Sequence, residues 1–155
     1  MKGKKIKLTR KLFKKTNDVV RAGEYIGNGA FMVHQDSTNI GAFLVDEEDA
    51  QIIYPELSWV NIDKANAAKF IESVHAIPCE PSHEWIATDR CYCQRGTKFI
   101  ARIFVNRETG EEAMIDEEYV RALGLDEYSL YSENCNGMFR SHDGLFIVAA
   151  VSVLG

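Results

Sequence analysis

The sequence predicts an α+β fold in which antiparallel, hairpin-rich sheet structure is combined with two or three short helices. Three observations lead to this prediction. Short runs rich in β-branched and aromatic residues recur, turn pairs such as Asn136-Gly137 and Asp143-Gly144 lie between them, and helical patterns follow capping residues. The stretch from Phe99 to Gly155 shows the pattern most clearly, as hairpin, short helix, hairpin and strand.

The N-terminal part combines a basic helical pattern with a strand pair. We expect a helix from Thr9 to about Val20, because apolar residues recur on one side at helical spacing and lysines fall on the other. Glu24 to His34 is predicted as a strand pair or a bulged strand, with Asn28-Gly29 as its turn. Two further short strands are expected at 41–45 and 51–54.

The middle of the chain carries a second helix and a candidate boundary. Alanine-rich residues from Lys64 to Val74 favour a helix with one buried stripe. The segment Ile77 to Glu84 holds two prolines and is predicted to be irregular. The length of 155 residues predicts one α+β domain over 1–155, with 1–76 and 77–155 as candidate internal halves.

The C-terminal part is predicted as a meander followed by a helix and a second hairpin. Strands are expected at Glu84 to Cys93 and Phe99 to Val105, with a return from Glu111 to Ile115. A helix capped at its start is then expected from Asp116 to Leu123. Gly124 ends it, because glycine readily adopts the left-handed conformation of a helix C-terminus.

The predicted helix caps recur at a regular spacing. Thr9, Asp63 and Asp116 each follow a leucine or isoleucine, and the intervals between them are 54 and 53 residues. Repeats of this length can mark stacked supersecondary units. Coincidence explains the spacing equally well, because little beyond the Ile-Asp pairs matches.

Charge is distributed unevenly along the chain. Residues 1–21 hold nine of the 18 lysines and arginines and one acid, Asp18, for a net charge of +8. The remainder holds nine bases and 22 acids, for −13. A cationic helix face is either a solvated surface or a contact for phosphates, which it binds without reading sequence. The candidate nucleic-acid-binding residues are Lys7, Arg10, Lys11, Lys14, Lys15 and Arg21.

Composition argues against membrane and secreted classes. No apolar run approaches the roughly 20 residues that a membrane helix needs. No apolar segment follows the basic N-terminus, so a secretory signal is not expected. We therefore expect a cytoplasmic protein without a membrane partner, whose four cysteines are free thiols or ligands.

Two constellations are candidate chemical sites. A zinc site would need ligands at knuckle-like spacing, but the Cα atoms of the cysteines in Cys91-Tyr92-Cys93 would lie about 7 Å apart on one strand face, which makes the two residues an awkward pair of ligands. The alternative is that these cysteines are structural residues, either buried or in a loop.

A Cys–His pair flanks the Asn136-Gly137 turn, without any family signature around it. We expect no catalytic residues, no bound metal and no cofactor, so the protein is not expected to be an enzyme. The residues concerned are Cys79, His83, Cys91, Cys93, Cys135 and His142.

The run Trp85-Ile86-Ala87-Thr88-Asp89-Arg90 resembles the strand of a bacterial DNA polymerase sliding-clamp domain that ends in an apolar–Ala–Thr–Asp step. The strand to Val105, the helix Glu117 to Leu123 and the closing run Phe139 to Val148 follow in the order found in the clamp. Ile6 to Val20 is similar to the strand-then-helix opening of such domains. The resemblance covers about two thirds of the chain, and its motifs are short.

The resemblance implies a DNA-clamp-like fold and a role in holding DNA. Lys11, Lys14 and Lys15 would then face the DNA channel, and a single copy would have to form a homo-oligomer to close a ring. The sequence departs from the clamp by having three predicted helices where one clamp domain has two. We therefore expect a non-enzymatic DNA-associated or accessory protein that contacts nucleic acid through a basic N-terminal helix.

The alternative is a small acidic protein-interaction module, such as an inhibitor or adaptor of the kind encoded by phages and mobile elements. The 22 carboxylates after residue 21 could dock a basic partner protein or imitate the charge of DNA. The two hypotheses differ in the partner that they predict, which is DNA in one case and another protein in the other.

Overall fold

A computed structural model describes residues 12–13, 16–34 and 58–151 of the chain. The chain divides into two compact units, Met1–Ser73 and Val74–Gly155, which are described separately below. The boundary lies near that of the predicted halves 1–76 and 77–155, and the assignment of those halves as parts of one domain stays a prediction.

The first unit contains a four-stranded mixed sheet in its described part. The strand order is β4-β1-β2-β3. The first three strands form an antiparallel meander, and β4 lies parallel to β1 with Val19 opposite Trp59. The strands are β1 (Asp18–Ala22), β2 (Tyr25–Gly27), β3 (Phe31–His34) and β4 (Ser58–Asn61).

The predicted strand pair between Glu24 and His34 is confirmed, together with its turn. The side-chain oxygen of Asn28 accepts hydrogen bonds from the backbone N–H groups of Ala30, at 2.9 Å, and Phe31, at 3.1 Å. Gly29 supplies the positive φ of +93° at the same turn. The side chain of Asn28 therefore replaces hydrogen bonds that the reversing backbone cannot make to itself.

The predicted helix from Thr9 to Val20 is wrong at its C-terminal end, because Asp18–Ala22 is strand β1. Leu12 and Phe13 are helical and buried. The chain leaves this conformation at Asn17, which has a φ of +58° and donates its N–H to the carbonyl of Phe13 at 2.8 Å. The two valines that follow favour a strand once β4 is available to pair with. The rest of that helix and the strands expected at 41–45 and 51–54 lie outside the described residues.

Helix α1 (Lys64–His75) confirms the predicted second helix. Asp63 caps it, since its carboxylate accepts the backbone N–H of Asn66 at 2.9 Å and the Asn66 side-chain amide at 2.6 Å. Ala67 and Val74 lie on the buried stripe of the helix, as expected.

The second unit contains six strands in its described part, all paired antiparallel in the order β10-β9-β8-β5-β6-β7. The backbone N–H of Val151, just after β10, donates to the carbonyl of Met114 on β7 at 2.8 Å. The sheet of this unit therefore curls until its two ends meet. The strands are β5 (Glu84–Cys93), β6 (Ile100–Asn106), β7 (Glu112–Asp116), β8 (Leu130–Tyr131), β9 (Met138–Ser141) and β10 (Phe146–Ala149).

Helix α2 (Glu117–Leu123) begins and ends at the predicted residues. Asp116 accepts the backbone N–H of Glu118 at 3.0 Å, and Gly124 adopts a φ of +65° while its N–H donates to Val120. Short 3₁₀ turns occupy Pro81–His83, inside the segment predicted to be irregular, and Leu125–Glu127.

The curled sheet and α2 enclose an apolar core. Trp85 lies at its centre, with its ring edge-to-face against Phe139 at 5.3 Å between centroids and its N–H donating to the carbonyl of Ser132 at 3.3 Å. The other fully buried side chains of this core include Phe104, Ile115, Leu123, Leu125 and Leu130.

The fold class is thus α+β and mostly antiparallel, with two α-helices of defined bounds in the described part. Neither of these helices is both long enough and apolar enough to cross a bilayer.

Candidate nucleic-acid interface

The predicted basic helix lies mostly outside the described residues. Lys7, Arg10, Lys11, Lys14 and Lys15 belong to this undescribed part. Arg21 is described, and it lies on strand β1 opposite Ile26. Its carbonyl accepts the backbone N–H of Ile62 at 2.9 Å, and it is half-buried. Arg21 is therefore part of a paired strand.

A second cationic segment lies in the β5–β6 hairpin. Between Arg90 and Arg107 the chain carries five of the nine bases found after residue 21, and it carries no acid. Sequence reasoning missed this segment because the surplus of acids after residue 21 was summed over the whole remainder of the chain. A count over each predicted hairpin would have found it. The five bases are Arg90, Arg95, Lys98, Arg102 and Arg107.

Three of these bases form ion pairs with acids of the same unit. Arg90 pairs with Glu112 on β7, and Arg107 pairs with Glu84 on β5 at 3.5 Å. Arg102 pairs with Glu117 on α2 at 2.8 Å. Pairing with acids reduces the field that these three cations present to a phosphate backbone.

The remaining two cations, Arg95 and Lys98, lie in the connection between β5 and β6. Both are exposed, and neither forms an ion pair with another described residue. The backbone N–H of Gln94 donates to the carbonyl of Phe99 at 3.1 Å, and Gly96 has a φ of +80°. The tight turn therefore presents two exposed positive charges, three positions apart in sequence, that have no acidic partner in the described part of the chain. We call Arg95 and Lys98 the hairpin tip.

Two aromatic side chains accompany the hairpin tip on one face of the hairpin. Tyr92 lies directly opposite Ala101 across the strand pair, and Phe99 lies two residues before Ala101. Opposite residues and residues two apart share a face, so Tyr92 and Phe99 lie on the same side. Both are half-buried. Cations next to accessible aromatic rings are the combination that contacts phosphates and stacks on bases.

An ion-pair network anchors the base of the hairpin to helix α2. Glu117 accepts from Arg102 at 2.8 Å and from Arg121 at 3.0 Å, and its side chain is only 8% exposed. The hydrogen bond that Arg102 donates to Glu117 raises the pKa of Arg102, burial acts against this increase, and Cys91 adds to it. One oxygen of Glu117 and the Nε of Arg102 are buried without a hydrogen-bond partner among the described residues. Arg102 is therefore committed to holding the hairpin in place.

The structure does not assemble the zinc ligands that the sequence suggested as a candidate set. The sulfur of Cys79 accepts from Arg140 at 2.9 Å, and the ring of His83 bonds to Ser82 at 2.9 Å. Cys91 and Cys93 are exposed on the β5–β6 hairpin. Among the described residues, no three His, Cys, Asp or Glu side chains come together as a group that could hold a metal. Cys79 and His83 therefore have local partners of their own, and Cys91 and Cys93 lie together on strand β5.

The candidate Cys135–His142 pair is also not joined by a hydrogen bond in the described contacts. The ring of His142 packs against Tyr131 at 5.9 Å, and its carbonyl accepts from Arg140 at 3.1 Å. Burial raises the pKa of Tyr131, and the carboxylate of Glu84 adds to that increase. A neutral tyrosine and the histidine ring thus form a packed pair beside the β9–β10 hairpin.

An apolar cavity of about 210 Å³ lies in the first unit. Its described lining contains no charged or hydrogen-bonding side chain, so it offers nothing to orient a reacting molecule. The lining residues are Val20, Ala22, Gly29, Met32, Ile62 and Phe70.

Comparison of the chain with protein-family models, with curated proteins and with solved structures gave no match. The functional argument therefore rests on the residues of this chain, and among the described residues the hairpin tip with its neighbouring aromatic rings is the arrangement with the clearest binding chemistry.

Proposed function

We propose that this chain is a non-enzymatic, DNA-associated protein that holds DNA electrostatically through two cationic elements. One is the N-terminal segment with Lys7, Arg10, Lys11, Lys14, Lys15 and Arg21. The other is the hairpin tip. The observation that carries the proposal is that Arg95 and Lys98 are exposed, close in sequence and without an acidic partner among the described residues.

The charge distribution favours contact with phosphates over other uses of these cations. Residues after position 21 carry a net charge of −13, which repels DNA from most of that part of the chain. Within this acidic part of the chain, the cationic hairpin is the element that DNA can approach. Lysine and arginine contacts to phosphates release counterions and do not read the base sequence, so binding is salt-sensitive and sequence-independent.

A clamp-like arrangement is part of the proposal. Strand β5 contains the Trp85–Arg90 run that resembles the sliding clamp, and β6, α2 and β10 follow in the order that the resemblance implies. A clamp closes a ring from several domains, so the proposed form in the cell is a homo-oligomer around DNA. The four free cysteines support a reducing compartment, and the proposed location is the cytoplasm.

Charge reversal at the hairpin tip tests the proposal. The double variant Arg95→Glu/Lys98→Glu is compared with Lys64→Glu/Lys69→Glu, which makes the same charge change at exposed positions on α1. Binding to a labelled duplex is followed by fluorescence anisotropy at about 50 mM salt, where phosphate contacts are strong. We expect the tip variant to bind at least about 10-fold more weakly than the α1 variant, because it loses two phosphate contacts.

The N-terminal element is tested separately with Lys11→Glu, Lys14→Glu and Lys15→Glu in one chain. Weaker DNA binding is expected here as well. Unchanged binding in both the tip variant and the N-terminal variant would contradict electrostatic DNA binding by this protein.

The alternative function is that of a small acidic protein-interaction module, and one observation favours it. On the β5–β6–β7 meander, Ile86 lies opposite Val105 and Ile103 lies opposite Met114, all on one face. Ile86 is 38% exposed and the other three are half-buried. A partly open apolar face suits a protein partner.

Affinity purification separates the two functions. A protein module recovers one defined protein, loses it in Ile86→Glu and retains no DNA at modest salt. Recovery of nucleic acid alone, equally in wild type and Ile86→Glu, contradicts the alternative.

A further inference from the structure

Two neighbouring cysteines on strand β5 have no role in the proposed DNA binding. Cys91 and Cys93 are two residues apart on β5, opposite Arg102 and Ile100 of β6. Residues two apart on a strand project from the same face, and both cysteines are exposed. The hairpin thus presents two accessible thiols in one direction.

The spacing of these thiols distinguishes between the bonds that they could form. Their Cα atoms are about 7 Å apart by strand geometry, with the Cβ atoms at a similar separation. A disulfide needs Cβ atoms about 3.8 Å apart, so it would require the strand to deform. A linear sulfur–metal–sulfur unit spans about 4.6 Å, twice a metal–thiolate bond, and rotation of the two side chains covers the remaining distance.

The number of ligands also selects the metal. Structural zinc takes four ligands, and no group of three His, Cys, Asp or Glu side chains that could hold a metal occurs among the described residues. A soft monovalent cation is stable with two thiolates alone, and thiolates favour Cu(I) over harder ions.

The charge of such a complex follows from its components. Two thiolates and one Cu⁺ carry a net charge of −1, since the two thiols release two protons on binding and no electron is transferred. Arg102 lies directly opposite Cys91 across the strand pair.

We propose that Cys91 and Cys93 form a two-coordinate Cu(I) site on the exposed face of the β5–β6 hairpin. The site needs no third protein ligand and no rearrangement of the strand. It is independent of the proposed DNA binding, because it uses the other face of the hairpin from Tyr92 and Phe99.

Copper transfer under reducing, oxygen-free conditions tests the site. The full chain is titrated into the coloured Cu(I) complex of bicinchoninate with ascorbate present, and loss of absorbance reports the metal taken up. We expect one Cu(I) per chain, at least 10-fold weaker binding in Cys91→Ser and in Cys93→Ser, and X-ray absorption that shows two sulfur neighbours per copper.

Cys79→Ser and Cys135→Ser are matched controls, because they remove the same group elsewhere in the second unit. Both are expected to bind copper as the wild type does. The proposal is overturned if the wild type takes up no copper, if the Cys91→Ser/Cys93→Ser double variant retains it, or if Cys79→Ser loses it to the same extent. All four positions are partly or fully exposed, so circular dichroism is expected to show intact folding in each variant.

Discussion

Arg140 shows how a single side chain can organise a whole region without any local signal in the sequence. It is only 7% exposed, and its guanidinium donates to the carbonyls of Ile77, Ser141 and His142 and to the sulfur of Cys79. Ile77 is 63 positions away along the chain. The planar guanidinium therefore ties the segment after α1 to the β9–β10 hairpin and supplies both side-chain donors to the buried carbonyl of Ile77.

Replacing Arg140 is expected to destabilise the second unit. Arg140→Ala removes both donors of the buried carbonyl of Ile77 and the bonds to Ser141, His142 and Cys79, and we expect a loss of about 3 kcal/mol in the free energy of unfolding. Arg140→Lys keeps the charge and one or two of the bonds, so its loss is expected to be smaller. Urea denaturation measures both. Equal stability of wild type and Arg140→Ala would show that these hydrogen bonds do not support the fold.

Asp63 gives a pH-dependent prediction. Its hydrogen bonds from the backbone and side chain of Asn66 lower the pKa of the carboxyl below its ordinary value of 3.8. A lowered folded pKa stabilises the protein above the unfolded pKa, and this contribution is lost as the pH falls through the folded value. The stability advantage of wild type over Asp63→Ala is therefore expected at neutral pH and to vanish in acid. Asp63→Asn keeps a capping oxygen that does not titrate, so its advantage over Asp63→Ala should not depend on pH in this way.

Contacts between residues close together in sequence could be predicted, whereas contacts between residues far apart in sequence could not. Asp63 and Asp116 were identified from sequence because a cap is defined by the residue type and the helical pattern directly after it. The partners of Arg140 and the pairing of Arg102 with Glu117 could not be identified, because they depend on which strands meet.

At the scale of elements, strand β1 shows how tertiary pairing overrides a local pattern. Val19 and Val20 fit the apolar side of the predicted helix, but both also have high strand propensity. Pairing with β2 and β4 decides between the two conformations. Strand β2 follows β1 after a short turn, but β4 is far away along the chain, so this pairing could not be identified from the local pattern. The meander β5–β6–β7 was predictable because its turns and strands are local and regular.

Gly27 tests the tight packing of the β2–β3 turn. A Cβ added at this position would lie 1.9 Å from the carbonyl oxygen of Phe31, which is backbone and cannot move aside. We expect Gly27→Ala to lower the free energy of unfolding by about 3 kcal/mol or more. Thermal or urea unfolding followed by circular dichroism measures the loss.

Gly110→Ala is the control for Gly27→Ala. It has a φ of +76° but no atom within 4 Å of the added Cβ, so only backbone strain of about 1 kcal/mol is expected. If the two variants were equally stable, the close approach at Gly27 would not be a constraint on the fold.

At the scale of the whole molecule, the distribution of charge is the feature most directly tied to function. The +8 of residues 1–21 was visible in the sequence, whereas the acid-free hairpin was hidden within a segment whose total is −13. The structure adds the information that Arg90, Arg102 and Arg107 have acidic partners while Arg95 and Lys98 have none among the described residues. The number of available cations therefore depends on the pairing of strands as well as on composition.

The salt dependence of duplex DNA binding tests the central claim most directly. For contacts to B-DNA, the logarithm of the binding constant falls linearly with the logarithm of salt concentration by about 0.9 for each phosphate neutralised. We predict such a linear fall for the wild type, and a slope smaller by about 2 in Arg95→Glu/Lys98→Glu. Binding that did not depend on salt, or a slope unchanged in this variant, would contradict DNA binding through the hairpin tip.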